Sequence, residues 1–304
     1  MSSTLILLRQ ILIMFLLMIA GYCLRKKQLL SLEGASSLSN LMLYICGPAI
    51  MILSFDTSFS YLRLQNMGIA FLFSVLITLV SIFLAKLFMS SEQTLEQFGI
   101  VFCNSGFIGL PLVQNILGTE CVFYLTIYMA VFTLFVWTYG IYLISKGKTK
   151  IKLSKAFLNP AMFSVFIGFF LFCTPFTLPD IVHETFQLLG DCNTPLGMIV
   201  LGSYLANSSS VHIFTSKEGY KVSFFRLIVV PLCTVFVMML LPMQYYDIRM
   251  TLLIANSTPV GVMLAMFSQM YAGDFEYGAR IVSLSTLLSL ISIPLVLSMT
   301  NILW

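Results

Sequence analysis

The chain consists of long apolar runs that are separated by short polar connections. A helix needs about 20 apolar residues to cross the hydrocarbon core of a bilayer, which is about 30 Å thick. Runs of this size recur throughout the sequence, and they are continuously apolar, whereas the strands of a membrane β-barrel alternate. The pattern predicts an all-α integral membrane protein with ten transmembrane helices, near Leu5–Leu24, Ser36–Phe55, Met67–Phe88, Phe98–Leu117, Cys121–Ser145, Phe157–Phe176, Val182–Ala206, Phe224–Leu241, Met250–Tyr271 and Ala279–Leu303.

The composition agrees with this class of protein. Apolar residues make up 59% of the 304 residues and charged residues only 9%, and the mean hydropathy is +0.98. A soluble globular chain carries about 25% charged residues. So few charges cannot cover a water-exposed surface, which excludes a soluble enzyme and a nucleic-acid-binding protein.

The residue types that carry catalysis or bind metals are scattered. The seven cysteines stand singly, and no CxxC or Cys/His cluster occurs, so neither a disulfide framework nor a metal site is expected. His183 and His212 form no constellation with a nucleophile or an acid pair. We therefore expect no enzyme activity and no cofactor.

Basic residues indicate the direction of the helices, because cytoplasmic loops are enriched in Lys and Arg. Connections after helices 1, 3, 5, 7 and 9 hold thirteen of them, counting Arg226 and Arg280, and the other connections hold only Arg63 and Arg249. Both termini are therefore predicted to lie outside the cytoplasmic membrane. The polar run Lys146–Lys155 is interpreted as a cytoplasmic anchor and linker, with a lipid-headgroup site as the alternative.

Prolines are predicted to interrupt helices 2, 4, 7 and 9, in helix 2 at Cys46-Gly47-Pro48, and their spacing reveals an internal repeat. Pro48 in helix 2 and Pro195 in helix 7 are 147 residues apart, and Pro111 in helix 4 and Pro259 in helix 9 are 148 residues apart. These offsets predict a duplication, with repeats at 1–150 and 151–304. Five helices per repeat is an odd number, so the second copy enters the membrane from the opposite side. Such inverted repeats are typical of secondary transporters.

Helices 4 and 9 are predicted to be broken within the membrane. Segment 103–111 reads CNSGFIGLP and segment 255–261 reads ANSTPVG. Gly and Pro weaken a helix, and unpaired backbone groups are tolerated only where protein or water encloses them. Each break would present a half-helix N-terminus to one cavity, with Asn104 and Asn256 at equivalent ends, an arrangement that suits an anion or a polar solute. Alternatively, the polar residues only satisfy backbone groups that the kinks release.

At these residues the sequence resembles the auxin efflux carrier family, whose bacterial members include malate and malonate permeases. The resemblance covers nearly the whole chain, and it is carried by FCNSGFIGLPLVQNILG (102–118), LGDCNTPLGMIVLGSYLA (189–206) and ANSTPVGVMLAMFSQMYAGDFEYGARIVSLSTLLSLISIPLV (255–296). It implies a scaffold of helices 1, 2, 6 and 7 with a homodimer interface. It also implies an elevator mechanism, in which helices 3–5 and 8–10 form a moving transport domain.

The candidate binding residues lie at the two breaks. The resemblance places family site residues at Asn104, Pro111, Asn256 and Pro259, and the neighbouring polar or flexible positions complete the predicted substrate-binding set, which is Asn104, Ser105, Gly106, Pro111, Asn256, Ser257, Thr258 and Pro259.

Charged residues within the apolar runs are further candidates, because an acid at the centre of a transmembrane helix costs about 2.5–3.5 kcal/mol on insertion scales. Asp191, just before Pro195, could carry a proton or cation, or cap the break in helix 7. Arg9 could pair with a carboxylate or reach the outer interface. Glu120 is expected at that interface.

The sequence therefore predicts a secondary carrier for a small organic anion, a mono- or dicarboxylate such as malate, malonate or an auxin-like acid, working by alternating access. One alternative is a sodium-coupled symporter of the bile-acid type. The predicted helices 4 and 9 carry no acid, so a sodium site there would consist of neutral oxygens only, which argues against this alternative. Another is a membrane sensor that binds the ligand without moving it.

Overall fold

The structure is a computed structural model that describes residues 3–57, 59–148, 160–174, 176–207, 214, 216–268 and 275–304. The described part is helical, apart from one isolated β-bridge. We number the helices α1 (Ser3–Lys26), α2 (Leu32–Leu53), α3 (Tyr61–Phe88), α4 (Thr94–Val101 and Ser105–Leu117), α5 (Thr119–Ile144), α6 (Pro160–Cys173), α7 (Asp180–Asp191 and Asn193–Asn207), α8 (Lys217–Met238), α9 (Tyr246–Asn256 and Met263–Phe267) and α10 (Phe275–Leu303).

Every predicted apolar run overlaps one of these helices. The start of predicted helix 6, the end of predicted helix 9, most of the basic run after Lys148, and His212 lie outside the described residues. Within the described part, α2, α3, α5, α8 and α10 are long and apolar enough to cross a membrane by length and composition. Ten crossings remain a prediction.

The helices expose large apolar side chains on their outer faces. Leu16, Phe83 and Ile291 are each about two-thirds exposed, at 64%, 64% and 66%. Exposed apolar surface costs about 25 cal/mol per Å² in water. An outer surface of this kind suits a hydrocarbon environment, in agreement with an integral membrane protein.

Prolines in three helices follow a common pattern. A π-turn ends two residues before Pro48, Pro111 and Pro231, at Met42–Cys46, Ser105–Gly109 and Phe225–Val229. Proline has no N–H, and its ring clashes with the carbonyl four residues earlier, so a wider turn relieves the crowding. The predicted interruption of α2 at Cys46-Gly47-Pro48 is therefore a π-turn in a helix that continues.

Glycines let the helix backbones approach closely. A Cβ at Gly202 in α7 would lie 1.9 Å from the backbone oxygen of Met18 in α1, and a Cβ at Gly21 would lie 2.1 Å from the backbone oxygen of Ile199. Small residues at a membrane helix interface permit such close contact. In the same way, Gly168 in α6 packs against the ring of Phe55, which follows α2.

Substitution of Gly202 by Ala is therefore expected to destabilise the protein by about 1–3 kcal/mol, as overpacking does. The matched control is Gly68→Ala, because Gly68 is an exposed helical glycine with no atom within 4 Å of the added Cβ. The control is expected to be neutral or stabilising. Thermal unfolding in detergent measures both, and an unchanged Tm for Gly202→Ala contradicts the close packing.

Candidate functional site

The breaks of α4 and α9 lie against each other. The chain leaves the helix at 102–104 in α4 and at 257–262 in α9, and Cys103 and Val260 form an antiparallel bridge. The backbone N–H of Asn104 donates to the Pro259 carbonyl at 2.8 Å, and that of Gly261 donates to the Phe102 carbonyl at 3.0 Å. Each break thus satisfies backbone groups of the other. We call this contact the junction.

The backbones of the two breaks approach each other closely at Gly261. A Cβ on Gly261 would lie 2.8 Å from the Cys103 carbonyl oxygen, so only glycine fits beside the α4 break. A third helix also contributes, because the backbone N–H of Val260 donates to the Ser285 hydroxyl of α10 at 3.2 Å. The α9 break is therefore held by hydrogen bonds to α4 on one side and to α10 on the other.

Arg226 lies at the junction and is fully buried. Its guanidinium donates to the carbonyls of Ile100 at 2.8 Å and Val101 at 3.2 Å, both at the end of the first α4 segment. It also donates to the backbone carbonyl of Asn256 and, at 2.9 Å, to the side-chain Oδ1 of the same residue. A single side chain of α8 therefore joins α4 to α9.

Asn256 is fixed by a network of side chains. Its Oδ1 accepts from Arg226 and, at 3.3 Å, from the Tyr128 hydroxyl of α5, while its Nδ2 donates to the Thr234 hydroxyl of α8 at 2.8 Å. The Tyr128 hydroxyl also contacts the Cys103 sulfur at 3.2 Å. The Asn256 amide thus has partners on both of its polar atoms, which sets its orientation.

Other polar atoms at the junction have no partner. Among the described residues, Asn104 Nδ2, Ser257 Oγ and Arg226 Nε are buried without a hydrogen bond. All three can donate. A buried polar group without a partner costs about 1–3 kcal/mol, so such a group calls for an explanation. A bound acceptor would satisfy them.

The chain resembles known transporters over nearly its whole length. A family model described as "Membrane transport protein" matches residues 6–297. The chain belongs to this family, the auxin efflux carrier family. A relative, an uncharacterized transporter of Methanocaldococcus jannaschii, is 25% identical over 305 residues, which cover 94% of this chain and 96% of the relative. The protein is thus a multi-pass member of a membrane transport family.

Most of the predicted binding residues lie at the junction, but not all of them do. Asn104, Ser105, Ser257, Thr258 and Pro259 are buried at the junction together with Asn256, and Gly106 is partly exposed. The prediction that the two asparagines occupy equivalent ends is wrong, because Asn104 precedes the second segment of α4, whereas Asn256 ends the first segment of α9. Pro111 lies inside the helix Leu110–Leu117, beyond the break, whereas Pro259 lies in the break itself.

Two arginines lie elsewhere than predicted. The prediction that Arg226 lies in a cytoplasmic loop is wrong, because Arg226 lies inside α8 and is buried. Arg249, assigned to an outer connection, is 4% exposed within α9. A rule that considers only charge predicts both as loop residues. The signal that could have found Arg226 is its position between Phe225 and Leu227, in an otherwise apolar run.

The acids are also placed differently from the prediction. Helix α4 begins at Thr94 and so contains Glu96, which is 9% exposed and accepts from the Tyr277 hydroxyl. Asp247 lies in the first turn of α9. The prediction of acid-free helices is therefore wrong for the observed α4 and α9, because both begin before the predicted starts at Phe98 and Met250.

The remaining candidates lie away from the junction. Asp191 is exposed at the end of the first α7 segment and accepts from Gln187 Nε2 at 3.0 Å. Arg9 and Glu120 are exposed. His183 lies 3.8 Å from Asp56, in a separate cleft.

Substitution of Thr234 by Val removes the acceptor of Asn256 Nδ2 and is expected to destabilise the protein by about 1–3 kcal/mol, because a buried donor is left without a partner. Thr78→Val in α3 is the matched control. Thr78, like Thr234, donates to the carbonyl four residues earlier, but no side chain donates to it among the described residues. Thermal unfolding in detergent should show the larger loss for Thr234→Val, and equal losses contradict the network.

Proposed function

We propose that the protein is a secondary transporter for a small organic anion, a mono- or dicarboxylate such as malate, malonate or an auxin-like acid, and that the anion binds at the junction. The observation that carries the proposal is the set of three buried donors without partners, on Asn104, Ser257 and Arg226. An ionised carboxylate only accepts hydrogen bonds, so it is complementary to such a set.

The electrostatics of the junction favour the same class of ligand. The guanidinium of Arg226 is a permanent positive charge, and no carboxylate of a described residue is ion-paired with it. The second segment of α4 begins at Ser105, directly after Asn104, and the N-terminal end of a helix segment favours negative charge. A cation would meet an unfavourable field here.

The packing supports an architecture of two inverted five-helix repeats, 1–150 and 151–304. Helix α1 packs along α7, and α6 packs against α2. In a five-helix repeat α1 corresponds to α6 and α2 to α7, so these two contacts are equivalent. Likewise, α3 packs against α5 and α8 packs against α10. We propose that α1, α2, α6 and α7 form the scaffold, which also carries a homodimer interface, and that α3–α5 and α8–α10 form the moving domain.

Alternating access is proposed because the junction is closed in this structure. Asn104 is 3% exposed, Asn256 2% and Ser257 1%. A ligand therefore reaches the three donors only when the helices around the junction move. We further propose that both termini lie outside the cytoplasmic membrane, and that Asp191 is the residue to test for a proton or cation if the carrier imports its substrate.

Asn104 and Asn256 have different roles in binding the anion. The Asn104 amide nitrogen has no partner among the described residues, so it is free to donate to the anion. The Asn256 amide is held by Arg226, Tyr128 and Thr234, so it shapes the site.

The experiment is counterflow of radiolabelled malate and of malonate in proteoliposomes. Asn104→Ala is expected to weaken anion binding about 10- to 100-fold at nearly unchanged Tm, because a hydrogen bond to a charged group contributes about 1.5–3 kcal/mol. Asn256→Ala is expected to reduce both counterflow and Tm. Asn115→Ala in the same helix as Asn104 is the control, since Asn115 is exposed and bonds only to the Pro111 carbonyl among the described residues.

Counterflow that keeps wild-type affinity in Asn104→Ala moves the binding site away from the junction. Uptake that occurs only with sodium indicates the coupled symporter instead. Specific binding without any flux above protein-free vesicles indicates a sensor.

A further inference from the structure

The ends of two helix segments converge on Arg226. The first segment of α4 ends at Val101, and the first segment of α9 ends at Asn256. The last carbonyls of a helix have no partner within it and carry partial negative charge. The Arg226 guanidinium supplies partners for these carbonyls, because it donates to the carbonyls of Ile100, Val101 and Asn256 together.

A cage of carbonyl oxygens at converging helix ends is the chemistry that holds a cation. In secondary transporters, unwound carbonyls and half-helix C-terminal ends coordinate coupling ions. Here the cage is filled by a side chain of the protein. Its charge is permanent, since an arginine side chain is not deprotonated in proteins.

The positive charge of Arg226 is stabilised by the dipoles of the surrounding carbonyl groups. No carboxylate of a described residue forms an ion pair with Arg226, so no acid neutralises it. A buried guanidinium without an acid is tolerated only where several oxygens replace its hydration. Three backbone carbonyls and the Asn256 Oδ1 do so.

We propose that the Arg226 guanidinium is a built-in cation, which takes the position of a coupling ion at the junction, so that the transport cycle needs no sodium ion there. The part of this proposal that concerns transport rests on the proposed function. The part that concerns the cation cage does not, and it is tested separately by protein stability.

The stability test uses chemical rescue of the purified full-length chain. Arg226→Ala is expected to lower the Tm, and low-millimolar guanidinium chloride is expected to recover several degrees, because a ligand that binds only the folded state stabilises it. Urea, which has a similar shape but no charge, and choline, which is too large, are expected to give no recovery. Lys221→Ala is the control, since Lys221 is exposed on the same helix and should respond to none of these.

Recovery by sodium as well as by guanidinium also supports the proposal, because a metal ion then fits the emptied cage. Folded Arg226→Ala whose Tm responds to neither cation overturns it. If Arg226→Ala does not fold, the stabilities of Arg226→Lys and Arg226→Met are compared instead. Higher stability of the Lys variant supports a role for the charge, and equal or higher stability of the Met variant shows that only packing matters.

The transport test compares wild-type counterflow in sodium medium and in choline medium. Equal rates are expected. A requirement for sodium overturns the built-in cation and indicates the sodium-coupled symporter, although transport of the anion itself is then still established. Absence of counterflow with both acids in either medium counts against the proposed function, and the rescue of Tm then decides the cation cage alone.

Discussion

A broken helix in a membrane must find partners for its backbone groups, and this requirement governs the structure around the junction. An unpaired N–H or C=O in hydrocarbon costs several kcal/mol. The breaks of α4 and α9 meet the requirement by pairing with each other through the Cys103–Val260 bridge. Gly261 is needed for the close approach, and Ser285 of α10 satisfies the remaining N–H of Val260.

The pairing of the breaks leaves carbonyls at the preceding helix ends, and these carbonyls hold a positive charge. Arg226 satisfies them, and it also orients the Asn256 amide. The junction therefore combines a fixed cation with the unpartnered donors of Asn104 and Ser257. A site with an excess of donors and of positive charge selects acceptors that carry negative charge. The anion selectivity that we propose is a consequence of how the backbone is satisfied.

The sequence was sufficient to locate the helices, because long apolar runs leave few alternatives, and to predict the breaks of α4 and α9, because Gly, Pro and Asn cluster there. It was not sufficient to predict how the breaks differ. Pro111 and Pro259 are separated by the repeat offset, yet a π-turn accommodates Pro111 within α4, whereas Pro259 lies in the non-helical break of α9. Local sequence does not determine which solution occurs, because the partner segment supplies the hydrogen bonds.

Arg226 shows a second limit of sequence analysis. A rule that counts basic residues assigns it to a loop, since a charge in hydrocarbon is costly. Only the folded chain brings Ile100, Val101 and Asn256 around it, from helices that are distant in sequence. The same holds for Asn104 and Asn256, whose different partners are invisible in their similar motifs.

We propose that the junction is the substrate site and that it opens to water during transport. The most direct test of this claim is Ser257→Cys in a background without other cysteines, treated with a membrane-impermeant thiol reagent. Ser257 is 1% exposed and its hydroxyl has no partner among the described residues, so the change is conservative. We predict slow modification that an anion active in counterflow retards. No modification, or a rate that the transported anion leaves unchanged, contradicts the claim.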